Sequence, residues 1–219
     1  MSCGSILNGY KGAVQVDGYK AYEALKGWKG LTLLNCMAHA RRKFEELKTK
    51  FPEETRQALN FFAPLYLVEK NLKERHASPD EIRETREKQS RPILDCMKQW
   101  MEQKKTEVTP KSGLGEAINY TLTRWDELCA YLKDGIYDID NNLVERSIRP
   151  LALGRKNWLF IKNDESGEDL AVIITMLNTC SMLDVNPRDW LVDVFSKIAG
   201  KQDYDPEPLL PYNYKNSNK

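Results

Sequence analysis

Only two segments of this sequence have the pattern of β-strands, and both lie close to the N-terminus. Residues 13–16 (AVQV) precede Asp17 and a glycine, and Leu31–Asn35 is a second apolar run of strand length. Almost everything after residue 37 has a helical pattern. Two lone strands rarely stabilise themselves. The sequence therefore predicts a predominantly helical α+β chain whose strands either recruit further strands or belong to an incomplete sheet.

Several helix starts can be located from capping residues and from prolines in the first turn. A helix that begins near Ser112 is expected to run to about Lys133, and the helix that carries Glu145 is expected to end at Pro150. The expected starts lie at Pro52, Ser78, Ser112, Asp140 and Asn186. The charge-dense residues between 52 and 110 are interpreted as a solvated helical hairpin rather than as a binding surface.

Composition restricts the class of protein. Hydrophobic residues make up 41% and charged residues 30%, which is typical of a soluble globular chain. No apolar run approaches the ~20 residues that span a bilayer, so no membrane partner is expected. The five cysteines are scattered and lack a CxxC motif, which favours a reducing cytoplasm. Because the net charge is only +1, any nucleic-acid footprint must be local.

Asp17 is the first candidate functional residue, because it lies at the carboxyl end of the first predicted strand. Ligands of open α/β sheets bind outside the carboxyl ends of their strands. A carboxylate at this position can therefore face a shared pocket. The alternative interpretation is an N-cap of the brief helix predicted between Tyr19 and Lys26. Position alone does not decide between the two.

Glu145 is the second candidate, and helical geometry gives it distinctive neighbours. Asn142, Glu145 and Arg149 share one face. The adjacent apolar stripe contains Val144, Ile148 and Leu151, and the helix is expected to bury the first two of these. A carboxylate between an amide and a guanidinium suits a hard cation such as Mg²⁺ together with a phosphate. A surface pair between Glu145 and Arg149 is the equally acceptable alternative.

Basic residues cluster just after Glu145. Five basic residues and one acid between positions 143 and 162 give this stretch a local net charge of +4. Trp158 and Phe160 lie among them, as in surfaces that track a backbone and stack on bases, although both can equally be core residues. The basic residues are Arg146, Arg149, Arg155, Lys156 and Lys162.

A third group surrounds His39. The spacing Cys36-x-x-His39 resembles half of a zinc site, but the chain has only two histidines and no second ligand pair, which disfavours zinc. Arg41 and Arg42 are expected to contact phosphate or to pair with acids. The sequence contains no nucleophile elbow and no phosphate-cradling or dinucleotide glycine motif.

Taken together, the motifs resemble those of the bacterial transposases of insertion-sequence family sixty-six. The segments that carry the resemblance are YKGAVQVDGYKAY, NCMAHARRKF, PKSGLGEAINYTLTRWDELCAYLKDG, DIDNNLVERSIRPLALGRKNWLF and LLPYNY. They follow one another over nearly the whole chain. Members of this family are DDE-type enzymes with a ribonuclease-H-like core.

The resemblance implies a mechanism and a set of site residues. Asp17 would be the second catalytic aspartate and Glu145 the catalytic glutamate, and both would hold Mg²⁺ or Mn²⁺. The partners would be transposon ends, target DNA and other transposase subunits. The residues expected to contact DNA are His39, Arg41, Arg42, Arg146, Arg149, Arg155 and Lys156.

The resemblance also implies a division of the chain. Residues 1–44 would be the last two strands of the core, 45–112 a helical insertion, 113–199 the core helices with Glu145, and 200–219 an irregular tail. The first catalytic aspartate lies upstream of the DGY motif in such enzymes. The chain is therefore expected to be a truncated or fragmentary transposase that is inactive alone. The alternative is a non-enzymatic remnant or regulator that binds DNA or transposase.

Overall fold

The computed structural model describes residues 7–154, 164–200 and 203–217. The chain divides into two compact units, Met1–Leu143 and Val144–Lys219. Most of the described residues are helical, and the described strands form one small sheet. The expected predominance of helix is therefore confirmed.

Both predicted strands are present, and they pair in parallel. Strand β1, Gly12–Val16, lies beside β2, Leu31–Asn35, with Val16 opposite Asn35. Parallel neighbours need a crossover connection. This one contains a 3-10 helix, Lys20–Leu25, where the sequence predicts a brief helix. The carboxyl ends of the two strands consequently lie side by side, while a wider ribonuclease-H-like core stays a prediction.

Ten α-helices occur among the described residues, joined by short 3-10 helices and one π-helical turn, Arg86–Ser90. No helix in this part of the chain combines the length and the apolar character needed to cross a membrane. The α-helices are α1 Met37–Glu45, α2 Pro52–Glu74, α3 Pro79–Thr85, α4 Arg91–Glu107, α5 Gly113–Leu122, α6 Trp125–Leu128, α7 Asn142–Gly154, α8 Asp164–Met182, α9 Pro187–Ile198 and α10 Pro211–Ser217.

Three of the predicted helix starts carry the expected side-chain caps. The Ser78 hydroxyl accepts a hydrogen bond from the backbone N–H of Glu81 at 3.4 Å. The Ser112 hydroxyl accepts one from Gly115 at 3.1 Å, and the Asn186 side chain accepts one from Arg188 at 3.0 Å. Each cap satisfies a backbone donor that has no partner inside the helix.

Two predicted helix ends are wrong. The helix from Ser112 does not continue to Lys133: it ends at Leu122, and Arg124, with φ −116° and ψ 15°, lies outside helical geometry. Helix α7 does not end at Pro150 but continues to Gly154. A proline inside a helix removes one backbone hydrogen bond and does not by itself end the helix.

The first unit has one hydrophobic core that joins the sheet to the long helices. Leu34 of β2, Phe44 of α1, Phe62 of α2, Met97 of α4 and Ile118 of α5 are all at most 2% exposed and belong to one cluster. Full burial of such a side chain contributes about 1.5–3 kcal/mol. The apolar faces of the charge-dense helices therefore pack in the same core as the helices and the strand that lie near Asp17.

Arg86 is a buried exception within the charge-dense segment, which was expected to be solvated. Its residue is 2% exposed, and Nε and Nη2 donate to the two carboxylate oxygens of Glu69 at 2.9 and 2.6 Å. Nη1 donates to the backbone carbonyls of Tyr131 and Asp134 at 2.9 and 3.0 Å. One side chain thus ties α2 to the segment that leads into α7.

The second unit has a smaller core. Cys180, Val185 and Trp190 are the buried residues of its core cluster. The Trp190 indole Nε1 donates to the Leu209 carbonyl at 2.8 Å and so joins α9 to the segment before α10. Many other large apolar side chains of this unit are more than half exposed: Val144, Ile148, Leu153, Val172, Ile173, Met182, Val192, Phe195 and Tyr204.

Candidate functional site

Asp17 follows β1 directly, and it is exposed. Its Oδ1 accepts a hydrogen bond from the backbone N–H of Tyr19 at 2.9 Å. This bond closes a turn ahead of the 3-10 helix and does not cap it, since the N-cap position is Tyr19 itself. Within the described residues Oδ2 has no hydrogen-bond partner. One carboxylate oxygen can therefore bind a ligand without losing a protein contact.

Two side chains from a distant part of the sequence hold the backbone carbonyls of Asp17 and of the residue after it. The Tyr120 hydroxyl donates to the backbone carbonyl of Asp17 at 3.0 Å, and Arg124 Nη2 donates to the carbonyl of Gly18 at 3.3 Å. Arg124 also donates to the Glu23 carboxylate at 3.0 Å. The turn that carries Asp17 is thus fixed from outside its own segment.

Gly18 is required by this arrangement. Its φ of +83° lies in the left-handed region, and a Cβ built on it would come within 2.2 Å of the Tyr120 hydroxyl oxygen. The guanidinium of Arg124 in turn lies 4.4 Å from the centroid of the Tyr120 ring, a favourable cation–π distance. Sequence analysis missed Tyr120 and Arg124, because no local pattern marks a contact that spans more than 100 positions.

The segment just before α7 is hydrogen-bonded near the carboxyl ends of the two strands. The Gln15 side chain donates to the Asp138 carbonyl at 2.9 Å, and the Met37 backbone N–H donates to the Ile139 carbonyl at 3.1 Å. The Asn141 N–H donates to Sγ of Cys36 at 3.5 Å. The first unit therefore brings the DIDNN motif to the strand ends that also carry Asp17.

Asp140 starts α7 in a way that uses both of its oxygens. Oδ1 accepts from the Asn142 backbone N–H at 3.0 Å, and Oδ2 accepts from the Asn142 side-chain amide at 2.6 Å. Asp140 thus satisfies a donor at the helix start, as the sequence predicts. Burial and the nearby Asp140 carboxylate raise the pKa of Tyr66, a residue of α2. Asp140 is therefore a structural carboxylate that holds this helix start.

The residues expected to contact phosphate on α1 have different surroundings. Arg41 pairs with Glu45 at 2.6 Å and lies over the ring of Tyr66, so its charge already has an acidic partner. Arg42 is exposed, and His39 is partly buried. Burial raises the pKa of the Cys36 thiol, and its sulfur accepts a hydrogen bond from the Asn141 N–H.

Glu145 lies in the first turn of α7 and is partly buried, while Arg146 and Arg149 are exposed. The expected burial of the neighbouring stripe is wrong: Val144 is 55% exposed and Ile148 is 51% exposed. Helical periodicity identifies an apolar stripe correctly, but it does not show that another part of the chain covers that stripe.

The predicted site residues fall into three groups. The first unit contains Asp17, His39, Arg41 and Arg42, and the second unit contains Glu145, Arg146 and Arg149. Arg155 and Lys156 lie outside the described residues, together with Trp158, Phe160 and Lys162. A shared acidic cleft between Asp17 and Glu145 stays a prediction.

Comparison with known proteins identifies relatives of the chain. It is 35% identical over 218 residues to the uncharacterized protein y4jD of Sinorhizobium fredii (strain NBRC 101917 / NGR234). It is 36% identical over 219 residues to the uncharacterized protein y4qI of the same strain. The alignments take in 95% of this chain but only 42% and 40% of these relatives, so the chain spans about two fifths of their length. No solved structure matches the chain significantly.

A family model gives the decisive match. The model described as "Transposase IS66 family" covers residues 2–169. This range contains both strands, the Asp17 turn held by Tyr120 and Arg124, and the start of the helix that carries Glu145. The match takes in more than half of the chain and agrees with the motifs that sequence analysis singled out. The chain therefore belongs to the Transposase IS66 family.

Proposed function

We propose that this chain forms part of the catalytic region of a DDE-type transposase, in which Asp17 and Glu145 hold Mg²⁺ or Mn²⁺ for the cleavage and joining of DNA. Membership of the family supports this function. One structural observation carries the assignment of Asp17: the DIDNN segment is hydrogen-bonded at the strand ends where this carboxylate is exposed. The helix that begins in this segment bears Glu145.

The donor set of Asp17 and Glu145 fits a hard divalent cation. Carboxylate oxygens are the ligands that Mg²⁺ prefers, and Mg²⁺ usually takes one or two of them together with waters and substrate phosphates. Asp17 keeps Oδ2 free of hydrogen bonds from the described residues. When bound in such sites, the ion polarises a phosphoryl oxygen and lowers the pKa of a bound water.

The proposed reaction consists of two in-line displacements at phosphorus. In the first, a water oxygen forms a bond to phosphorus and the bond to the 3′ oxygen breaks. The attacking water gives up a proton to solvent, and the leaving 3′ oxygen takes one up, which yields a 3′-hydroxyl and a 5′-phosphate. In the second, the freed 3′-hydroxyl attacks a phosphodiester of target DNA, and that bond's own 3′ oxygen leaves. The number of phosphodiester bonds is unchanged in the second step, so no energy-rich co-reactant is needed.

The other residues have supporting roles in this proposal. Tyr120 and Arg124 fix the direction of the Asp17 turn through its carbonyls. Arg42, Arg146 and Arg149 are exposed and can donate to DNA phosphates in bidentate fashion. We assign Arg41 a weaker contribution, because its guanidinium already pairs with Glu45.

The decisive test is whether the chain completes a catalytic site with the amino-terminal region of a longer relative. A DDE site needs three carboxylates, and this chain supplies two by the resemblance. The purified chain should therefore not nick DNA in Mg²⁺ when alone. Adding the remaining region of a full-length family member should restore nicking of transposon-end DNA, and Asp17→Asn or Glu145→Gln should abolish it. Robust nicking by the isolated chain would contradict the proposal.

A second candidate function is a non-enzymatic regulator that binds DNA or transposase subunits. The exposed guanidinium groups of Arg146 and Arg149 favour it. Phosphate binding of this kind weakens steeply with salt. If this candidate is correct, the double variant Arg146→Ala/Arg149→Ala should lessen the salt dependence of DNA binding. Adding the remaining region of a full-length family member should then produce no nicking. Restored, metal-dependent nicking excludes this candidate.

A further inference from the structure

The crossover between the two strands presents aromatic and basic side chains to solvent. Tyr19 is 67% exposed and Trp28 is 37% exposed, although large aromatic rings are usually buried. Lys20 and Lys29, each adjacent to one of these rings in sequence, are also exposed. We call these four residues, Tyr19, Lys20, Trp28 and Lys29, the crossover surface.

The charges of the crossover leave this surface positive. Of its two acids, Asp17 is the proposed metal ligand and Glu23 is neutralised by Arg124 at 3.0 Å. The ammonium of Lys26 is neutralised by Glu127 at 2.7 Å. Lys20 and Lys29 have no carboxylate partner within the described residues. Two cations, each next in sequence to an exposed ring, are thus available to an anionic partner.

A nucleic-acid strand is the partner that matches this combination. Lysines that lack acidic partners attract phosphates, and exposed aromatic rings stack on bases regardless of sequence. Base faces are reachable only where the strand is unpaired, because in a duplex they are stacked on one another. An acidic peptide would use the lysines but would leave the two flat rings without a matching surface.

The position of Tyr19 connects this surface to the proposed active site. Its backbone N–H is bound to the Asp17 carboxylate at 2.9 Å. Its ring packs edge to face against Tyr22, with centroids 6.2 Å apart and planes at 80°. An aromatic side chain with few rotatable bonds and a fixed neighbour loses little freedom on binding.

We infer that the crossover surface binds an unpaired stretch of DNA that flanks the phosphodiester held at Asp17, with Tyr19 and Trp28 stacking on bases and Lys20 and Lys29 contacting phosphates. This inference rests on the proposed function, which identifies the bound strand as the DNA that is cleaved and joined. It adds a substrate feature: the strand next to the reacting bond is separated from its complement.

The test measures DNA binding by the whole chain in EDTA, so that catalysis plays no part. The probes are a fluorescein-labelled oligonucleotide of about 20 nucleotides and its duplex, long enough for known single-strand sites. The wild-type chain should prefer the single strand. Tyr19→Ala and Trp28→Ala should each weaken single-strand binding about fivefold to a hundredfold, as expected for loss of one stacked base.

Control variants separate stacking from damage to the fold. Tyr19→Phe and Trp28→Phe keep a ring and should bind nearly as well as the wild type. Tyr204→Ala removes a tyrosine that is 51% exposed in the second unit and should change nothing. Lys20→Ala and Lys29→Ala should each lower the slope of log K against log salt by about 0.7, whereas Lys88→Ala should not.

The inference is overturned if Tyr19→Ala and Trp28→Ala bind the single strand like the wild type, or if the wild type prefers the duplex. It is also overturned if the ring-retaining variants lose as much affinity as the alanine variants. Failure of the proposed function would give a different result. Nicking would stay absent even with the complementing region present, while the aromatic variants would still lose affinity for the single strand.

Discussion

The two units of this chain organise their polar contacts differently. In the first unit, side chains reach across the sequence to hold backbone carbonyls: Tyr120 holds Asp17, and Arg86 holds Tyr131 and Asp134. In the second unit, many side-chain hydrogen bonds of the described residues are local, such as the one from the Thr175 hydroxyl to the carbonyl four residues earlier. Long-range bonds fix a tertiary arrangement, whereas local bonds only support a helix.

The apolar contacts of the two units follow the same contrast. The first unit buries side chains from β2 and several helices in one cluster, while the core cluster of the second has three buried residues among those described, and many of its large apolar side chains are exposed. Since hydrophobic burial is the main favourable term in folding, the first unit should supply most of the stability. Variants in each unit can test this difference.

The largest effect is expected from Arg86→Ala in the first unit. The change leaves the Glu69 carboxylate, 17% exposed, and two backbone carbonyls without their donor. Breaking a buried pair in this way costs about 3–5 kcal/mol of the free energy of unfolding. The matched control is Arg91→Ala, whose partner Glu87 is exposed, and it should cost less than about 1 kcal/mol. Urea denaturation followed by circular dichroism measures both, and equal losses would contradict the contrast.

The next effect concerns the turn that carries Asp17. Gly18 and Gly27 have nearly the same positive φ, +83° and +80°, but only a Cβ at Gly18 meets the Tyr120 hydroxyl. Both alanine substitutions cause backbone strain at a positive φ. Gly18→Ala in addition brings a methyl group into steric conflict with the Tyr120 hydroxyl. We expect Gly18→Ala to cost about 1–3 kcal/mol more than Gly27→Ala. Adding Tyr120→Phe should recover part of that difference in thermal denaturation, because it removes the oxygen that the Cβ would meet.

A smaller effect is expected from Tyr120→Phe alone. The Tyr120 hydroxyl donates to a carbonyl 103 positions away, whereas the Tyr10 hydroxyl donates to the carbonyl of Ala13, three positions away. Both bonds measure 3.0 Å, so Tyr10→Phe is a matched control. Tyr120→Phe should cost about 0.5–1.5 kcal/mol, the usual net value of a hydrogen bond. Tyr10→Phe should cost less, because its bond joins neighbouring residues at the surface. The reverse order would show that sequence distance is irrelevant here.

The same contrast explains what could be predicted from the sequence. Both strands and the caps at Ser78, Ser112 and Asn186 were predictable, because periodicity and capping chemistry involve residues within a few positions. The exposed Asp17 at a strand end was found for the same reason.

What the sequence could not reveal depended on distant partners. The break after Leu122 places Arg124 against Gly18 and Glu23, and the burial of Arg86 depends on Glu69 together with two carbonyls far along the chain. No pattern of neighbours carries that information. The apolar stripe on α7 shows the same limit, because its periodicity was clear in the sequence whereas its exposure to solvent was not predictable from that periodicity.

The smallest effect is expected on that stripe. Val144 is 55% exposed, so Val144→Ala removes little buried surface and gains helix propensity. The free energy of unfolding should change by no more than about 0.5 kcal/mol. Val185→Ala is the control in the same unit, because Val185 is 9% exposed and lies in its core, and it should cost about 1.5–3 kcal/mol. If Val144→Ala cost as much as Val185→Ala in urea denaturation, the stripe would be covered in solution and the contrast between the units would fail at this helix.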